Sequence, residues 1–142
     1  SETTETKKRQ FGRIAVCLSE NKEMAELLIR KTARLAERFD VQWYVVFVET
    51  PDLAAEKIDL AVQRHLINNF KLATELGAHV DTIKNPDAVK AIGEYARQKN
   101  IQLLVVGKPA PKRFPKLLGS TIVDKLIDEL EQDEIDIQIV SK

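Results

Sequence analysis

The chain has 142 residues, the size of one ordinary domain, and a chain of that length buries about 68–70% of its unfolded surface. Hydrophobic residues (44%) and charged residues (31%) occur in proportions typical of a soluble globular protein, which excludes a disordered or fibrous one. The 22 basic residues balance the 22 acidic ones, so we expect no binding to nucleic acid and no attraction to an anionic membrane.

The first half of the chain predicts two strands and two helices after a polar leader. Residues 1–11 lack apolar periodicity and predict a flexible N-terminal tail or linker, so that 12–142 form the domain. The apolar runs 13–18 and 41–48 predict strands, and 21–39 has the spacing of an amphipathic helix. Pro51 is expected to open a long helix that continues through Leu76 and is closed by Gly77.

The second half continues the alternation. Residues 78–84 predict a strand near an edge, and Asn85 with Pro86 predicts a capped helix start. The run 101–107 is the most apolar strand, so we expect it inside the sheet. A last short helix presents one apolar face, and 134–141 alternate as an edge strand does. That apolar face consists of Ile122, Val123, Leu126, Ile127 and Leu130.

Five strands alternating with four helices predict an α/β fold with a parallel sheet and helices on both faces. Ligands of such sheets bind outside the carboxyl ends of the strands, where the strand order reverses. If the first and fourth strands flank that point, the segments that follow Leu18 and Gly107 meet there. The sequence shows no internal repeat or second domain.

The segment 105–126 carries most of the chemistry in this sequence. Gly107 ends a buried strand, four cations follow within nine residues, and Ser120 precedes a helix that it can cap. The cations are Lys108, Lys112, Arg113 and Lys116. A helix N-terminus beside such charge favours phosphate, whereas a solvated basic loop with an ordinary cap explains the same residues. Neither a Walker loop nor a dinucleotide-binding glycine motif occurs.

The remaining candidate residues favour structural roles. Cys17 lies in a buried strand and indicates an inert thiol in a reducing compartment. His65 and His79 lack metal-ligand spacing, and Trp43 suits the core better than a base-stacking site. The acidic run 129–136 is explained by solvation or by mutual repulsion. With no paired acid and base or activated nucleophile in view, we expect no enzyme activity and no metal site.

Two blocks, "WYVVFVETP" (43–51) and "GSTIVDKLI" (119–127), resemble the universal-stress-protein-like domain of KdpD, the potassium-responsive sensor histidine kinases. The resemblance covers about residues 12–141. It implies a three-layer Rossmann-like universal stress protein fold, with a five-stranded parallel sheet of order 3-2-1-4-5. It also implies a cytoplasmic domain of a two-component sensor at the inner membrane, with no membrane insertion by this segment.

The resemblance also suggests a ligand site. Stress proteins hold ATP phosphates on a glycine segment, of which Gly107, Gly119 and Ser120 match while Ala110 replaces the middle glycine and the spacer is one residue short. Some KdpD relatives bind cyclic di-AMP through a Ser-x-Ser whose second serine matches Ser19. The residues assigned to ligand binding are Leu18, Ser19, Val48, Gly107, Lys108, Lys112, Arg113, Gly119, Ser120 and Thr121.

Three functions follow as hypotheses. The first is a regulatory domain that binds a nucleotide-like anion, such as ATP or cyclic di-AMP, or a protein partner, and modulates the kinase. The expected partners are other kinase domains, a universal stress protein or a second copy of the chain. The alternatives are a free-standing universal stress protein that binds ATP and a ligand-free scaffold that dimerises through 134–141.

Overall fold

Five strands and four α-helices alternate in the computed structural model, which describes residues 12–109 and 121–141. The strands are β1 (Arg13–Leu18), β2 (Trp43–Glu49), β3 (His79–Lys84), β4 (Ile101–Gly107) and β5 (Asp136–Val140). The helices are α1 (Lys22–Phe39), α2 (Leu60–Glu75), α3 (Ala88–Gln98) and α4 (Ile122–Glu129). The predicted alternation is therefore confirmed.

All neighbouring strands pair in parallel, in the order β3-β2-β1-β4-β5. This is the predicted order, with β3 and β5 at the edges. β1 lies in the middle, where Val16 is aligned with Val45 on one side and Val105 on the other. A strand with neighbours on both sides and helices on both faces has no side exposed to water, which explains its nearly continuous apolar sequence.

The sheet separates two hydrophobic cores, because successive side chains of a strand point to opposite faces. Val16 belongs to the core under α1 and α2, which contribute Leu28 and Leu66. Ala15 belongs to the other core, under α3 and α4, which contribute Ile92 and Leu126. The arrangement of helices, sheet and helices confirms the three-layer fold.

The segment after β2 departs from the prediction of one long helix starting at Pro51. Two short 3-10 turns, Pro51–Leu53 and Ala55–Lys57, come first, and α2 begins only at Leu60. Ala54 and Ile58 have extended backbones, with ψ of 147° and 153°, and each interrupts helical propagation. The predicted end is confirmed, since Gly77 adopts a left-handed φ of 100° just after the last turn.

The predicted start of α3 was wrong by two residues. The Asp87 side chain, and not that of Asn85, caps the helix by accepting a hydrogen bond from the Lys90 N–H at 3.1 Å. Asn85 instead accepts from the Asp87 N–H at 2.8 Å, which closes a local turn around Pro86. Pro86 consequently lies before the helix and not at its first position.

The apolar face of α4 is narrower than predicted. Val123, Leu126 and the following Leu130 are buried, whereas Ile122 and Ile127 are 47% and 45% exposed. The buried side chains form one stripe at a spacing of three and four residues, and the two isoleucines flank it on either side. The predicted cap, Ser120, lies outside the described residues, and Thr121 caps α4 in a reciprocal capping box with Asp124.

The acidic run 129–136 has a specific cation, contrary to the expectation of simple solvation or repulsion. Arg97 of α3 donates hydrogen bonds to the Glu129 carboxylate at 2.9 Å and to the Asp133 carboxylate at 3.1 Å. It also donates to the Glu129 carbonyl at 3.0 Å. These hydrogen bonds raise the pKa of Arg97 and tie the turn before β5 to α3.

Candidate functional site

The carboxyl ends of β1 and β4 lie side by side where the strand order reverses. The chain leaves β1 for α1 on one face of the sheet and leaves β4 toward α4 on the other. Leu18 and Gly107, the last residues of the two strands, each lie two residues beyond the aligned pair Val16 and Val105. The fold thus brings together the two strand ends from which the segments assigned to one site begin.

Ser19 is exposed at the end of β1, in the turn that leads into α1. Its hydroxyl oxygen accepts a hydrogen bond from the Asn21 N–H at 3.3 Å. Asn21 in turn accepts from the Met24 N–H at 3.1 Å and caps the helix. Both oxygens therefore orient the start of α1, while the exposed Ser19 hydroxyl retains a donor for a ligand.

Gly107 has a structural reason to be glycine besides the approach of a ligand. A Cβ atom there would lie 2.8 Å from the Met24 Cγ and 3.4 Å from a Leu28 methyl carbon. The first turns of α1 therefore pack directly on the end of β4. This contact sets the position of α1 relative to both strand ends.

Lys108 and Thr121 lie at the two described ends of the basic segment. The Lys108 N–H donates a hydrogen bond to the Val140 carbonyl at 2.7 Å, so the chain stays attached to β5 as it leaves β4. Lys108 itself is exposed. The Thr121 hydroxyl accepts from the Asp124 N–H at 3.2 Å. Lys112, Arg113, Gly119 and Ser120 lie outside the described residues, and their roles stay predictions.

Leu18 and Val48 are core residues whose side chains lie on opposite faces of the sheet. Each is 7% exposed; Leu18 packs with the α1 and α2 layer, and Val48 with the α3 and α4 layer. Their side chains therefore cannot both line one ligand surface.

Among the other residues singled out by sequence, Trp43 is 4% exposed and belongs to the core. His79 stacks on Tyr44, with ring centroids 4.9 Å apart, and His65 lines a groove between α1 and α2. Within the described ranges 12–109 and 121–141, no three potential metal-ligating side chains come together.

None of the helices described there is long and apolar enough to cross a membrane.

The Cys17 thiol is expected to react slowly with alkylating reagents. Burial raises its pKa to about 12, so the nucleophilic thiolate is scarce at pH 8. We expect iodoacetamide to modify the native chain far more slowly than the chain unfolded in guanidinium, as measured by intact mass over time. Equal rates in the two states would show that neither burial nor a raised pKa slows the reaction of Cys17.

A polar pair on the α3 face was missed by the sequence analysis. The Tyr95 hydroxyl of α3 donates a hydrogen bond of 2.6 Å to the Asp81 carboxylate of β3. Tyr95 also meets the Tyr44 ring edge-on, with centroids 6.4 Å apart. The sequence contained one indication of this pair, which is the acidic residue Asp81 in the middle of a predicted edge strand.

The solved structures that match this architecture include universal stress proteins. One, in complex with cAMP, is 17% identical with a TM-score of 0.65, and the match covers 92% of this chain and 97% of that one. Another, from Archaeoglobus fulgidus in complex with dAMP, is 17% identical with a TM-score of 0.62, covering 91% and 97%. The chain therefore has the universal stress protein fold. A scan against protein-family models finds no match.

Proteins with similar sequences identify the kind of domain more closely. Sensor protein KdpD of Escherichia coli K12 is 37% identical over 113 residues, which cover 80% of this chain and 12% of that protein. Sensor protein KdpD of Clostridium acetobutylicum is 30% identical over 118 residues, covering 81% and 12%. The chain matches a universal-stress-protein-like domain of KdpD sensor proteins. It spans about an eighth of the length of these relatives.

Proposed function

We propose that this chain is a regulatory domain of a potassium-sensing, two-component histidine kinase, and that it binds a nucleotide-like anion at the carboxyl ends of β1 and β4. The domain itself would be non-catalytic, and the kinase chemistry would belong to other parts of the parent protein. Occupancy of the site would modulate the kinase through contacts with those other parts.

The observation that carries the proposal is the sheet order, which brings exposed Ser19 and exposed Lys108 to adjacent strand ends. The α4 N-terminus follows the same basic segment, and its dipole favours an anion. Solved stress proteins of this fold in complex with cAMP and dAMP support an adenine nucleotide as the ligand class. ATP and cyclic di-AMP are therefore the first ligands to test.

Isothermal titration of ATP and of cyclic di-AMP into the 142-residue chain tests the proposal. We expect micromolar binding of one of them, and loss of that binding when Lys112 and Arg113 are both replaced by alanine, because phosphate affinity at an exposed site depends on local cations. The matched control replaces Arg34 and Arg38, two exposed cations in the second half of α1, which runs away from the strand ends, and should bind like wild type.

A protein partner at β5 is the second candidate, and a specific surface favours it. β5 is an edge strand, and its Ile139 is 49% exposed, with exposed Ile127 on the neighbouring α4. Unpaired edge backbone beside apolar side chains is suited to a second copy, a universal stress protein or another kinase domain. If both titrations give no heat, the nucleotide proposal is wrong and this partner function remains.

A further inference from the structure

A groove of about 410 Å³ runs between α1 and α2, on the face of the sheet that these two helices cover. Charged residues of α1 form one wall, and His65 and Asn69 of α2 belong to the other. The charged residues are Lys22, Glu23, Glu26 and Arg30. Most of the contact between two packed helices is apolar, so a polar groove between them calls for an explanation.

Asn69 is the residue that points to a ligand. It is only 9% exposed, and its neighbours on the buried side of α2 are Leu66 and Ala73. Within the described ranges, the side-chain amide of Asn69 makes no hydrogen bond. Every fully buried polar side-chain atom in those ranges has a hydrogen-bond partner, so the amide atoms of Asn69 are not fully buried. The amide therefore keeps contact with water through the groove that it lines. A leucine at this position would complete the apolar stripe without burying a polar group.

The wall contributed by α1 carries balanced charge, unlike the basic segment after β4. Glu26 and Arg30 form an ion pair of 3.3 Å with both side chains more than half exposed. Lys22 lies one helical turn before Glu26, about 6 Å along the axis at 1.5 Å per residue. Two residues of extended peptide span about 7 Å, so the charged ends of a dipeptide match this separation.

We propose that the groove binds a small zwitterionic ligand of dipeptide size. Its peptide group pairs with the Asn69 amide, which offers both a donor and an acceptor. Its carboxylate meets Lys22, and its ammonium group meets the Glu26 carboxylate, whose exposed ion pair with Arg30 is weak and can give way. The volume lies within the range of small-molecule sites, about 300–1,000 Å³. The groove begins at Lys22, three residues after Ser19, and extends along α1 away from the strand ends, so the proposal does not depend on the strand-end site.

The probe is glycylglycine, titrated into the isotopically labelled 142-residue chain and followed by amide chemical shifts. N-acetylglycinamide, which keeps the peptide groups and lacks the charges, is the control ligand. We expect weak, saturable binding of glycylglycine with shifts confined to α1 and α2, and roughly tenfold weaker binding by Asn69→Leu and by Lys22→Gln. Arg34→Gln, an exposed α1 position outside the groove, should bind like wild type.

Thermal unfolding of Asn69→Leu without ligand gives an independent readout. If Asn69 serves a ligand, the leucine variant melts at the wild-type temperature or higher, because an unpaired amide is replaced by an apolar side chain in a mostly buried place. A lower melting temperature would make Asn69 a structural residue and overturn the proposal. So would absence of glycylglycine binding, equal binding of the uncharged control, or shifts centred on Ser19 and Lys108.

Discussion

Replacing Gly107 by valine is expected to lower the free energy of unfolding by about 1–3 kcal/mol, the usual cost of adding atoms to a well-packed contact. The first added atom already lies 2.8 Å from the Met24 Cγ and 3.4 Å from a Leu28 methyl carbon, and valine adds two further methyl groups beside them. Valine has a higher strand propensity than glycine, which by itself would stabilise β4. The expected loss of stability therefore comes from the crowded contact and not from backbone preference. The measurement is urea unfolding followed by circular dichroism.

Met24→Ala provides the control, because it removes the side chain with which the valine would clash. In a double-mutant cycle, the valine substitution should cost less in the Met24→Ala background than in wild type, which gives a coupling between two residues in contact. An equal cost in both backgrounds would show that the packing of α1 on β4 is not the reason for glycine. Ligand binding that fails in Gly107→Val and returns in the double variant would show that α1 positions the strand-end site.

Gly107 illustrates what the sequence could and could not predict. The sequence predicted that Gly107 ends a buried strand, next to the point where the strand order reverses. This prediction rested on apolar runs and on the alternation of strands and helices, which are local patterns. Its contact with Met24 depends on how closely α1 approaches β4, and no pattern within either segment carries that distance. The same residue type fits both a ligand loop and a tight helix contact.

The existence of every element was predictable, as were the bounds of β1 and β4 and the end of α2, but the starts of α2 and α3 were not. Asn85 and Asp87 are both good helix caps, and only the local turn around Pro86 decides between them. Ile122 and Ile127 are as apolar as Val123, but an eight-residue helix on a sheet buries only one narrow stripe. These choices depend on tertiary packing and not on residue preference.

For the candidate site, strand alternation carried one usable signal that the prediction did not apply. Because side chains alternate and Leu18 is aligned with Phe47, Val48 must face the other side of the sheet. The groove residue Asn69 gave no such signal, since an asparagine within a helical pattern is ordinarily exposed. Only the packing of α1 on α2 shows that this amide is mostly buried.

Replacing Tyr95 by phenylalanine is expected to destabilise the domain by about 1.5–3 kcal/mol, the range for a hydrogen bond to a charged group. Tyr95 is 4% exposed, and its hydroxyl donates to Asp81 at 2.6 Å. Phenylalanine keeps the ring and its contact with Tyr44 but leaves the Asp81 carboxylate without this donor. Tyr44→Phe is the matched control; it loses a longer bond of 3.2 Å to the neutral Gln42 amide and should cost about 0.5–1.5 kcal/mol.

The dependence of this loss on pH follows from the Tyr95 pKa, which burial, the hydrogen bond to Asp81 and the nearby Asp81 charge all raise. Because the folded state holds the phenolic proton more tightly, the added stability is fully present below pH 10, the ordinary tyrosine pKa, and falls as the pH rises above it. The difference between wild type and Tyr95→Phe should therefore be constant from pH 7 to about pH 9 and shrink above about pH 10. Urea unfolding at a series of pH values measures it, and a difference that stays constant through pH 11 would show that the folded state does not raise the pKa of Tyr95.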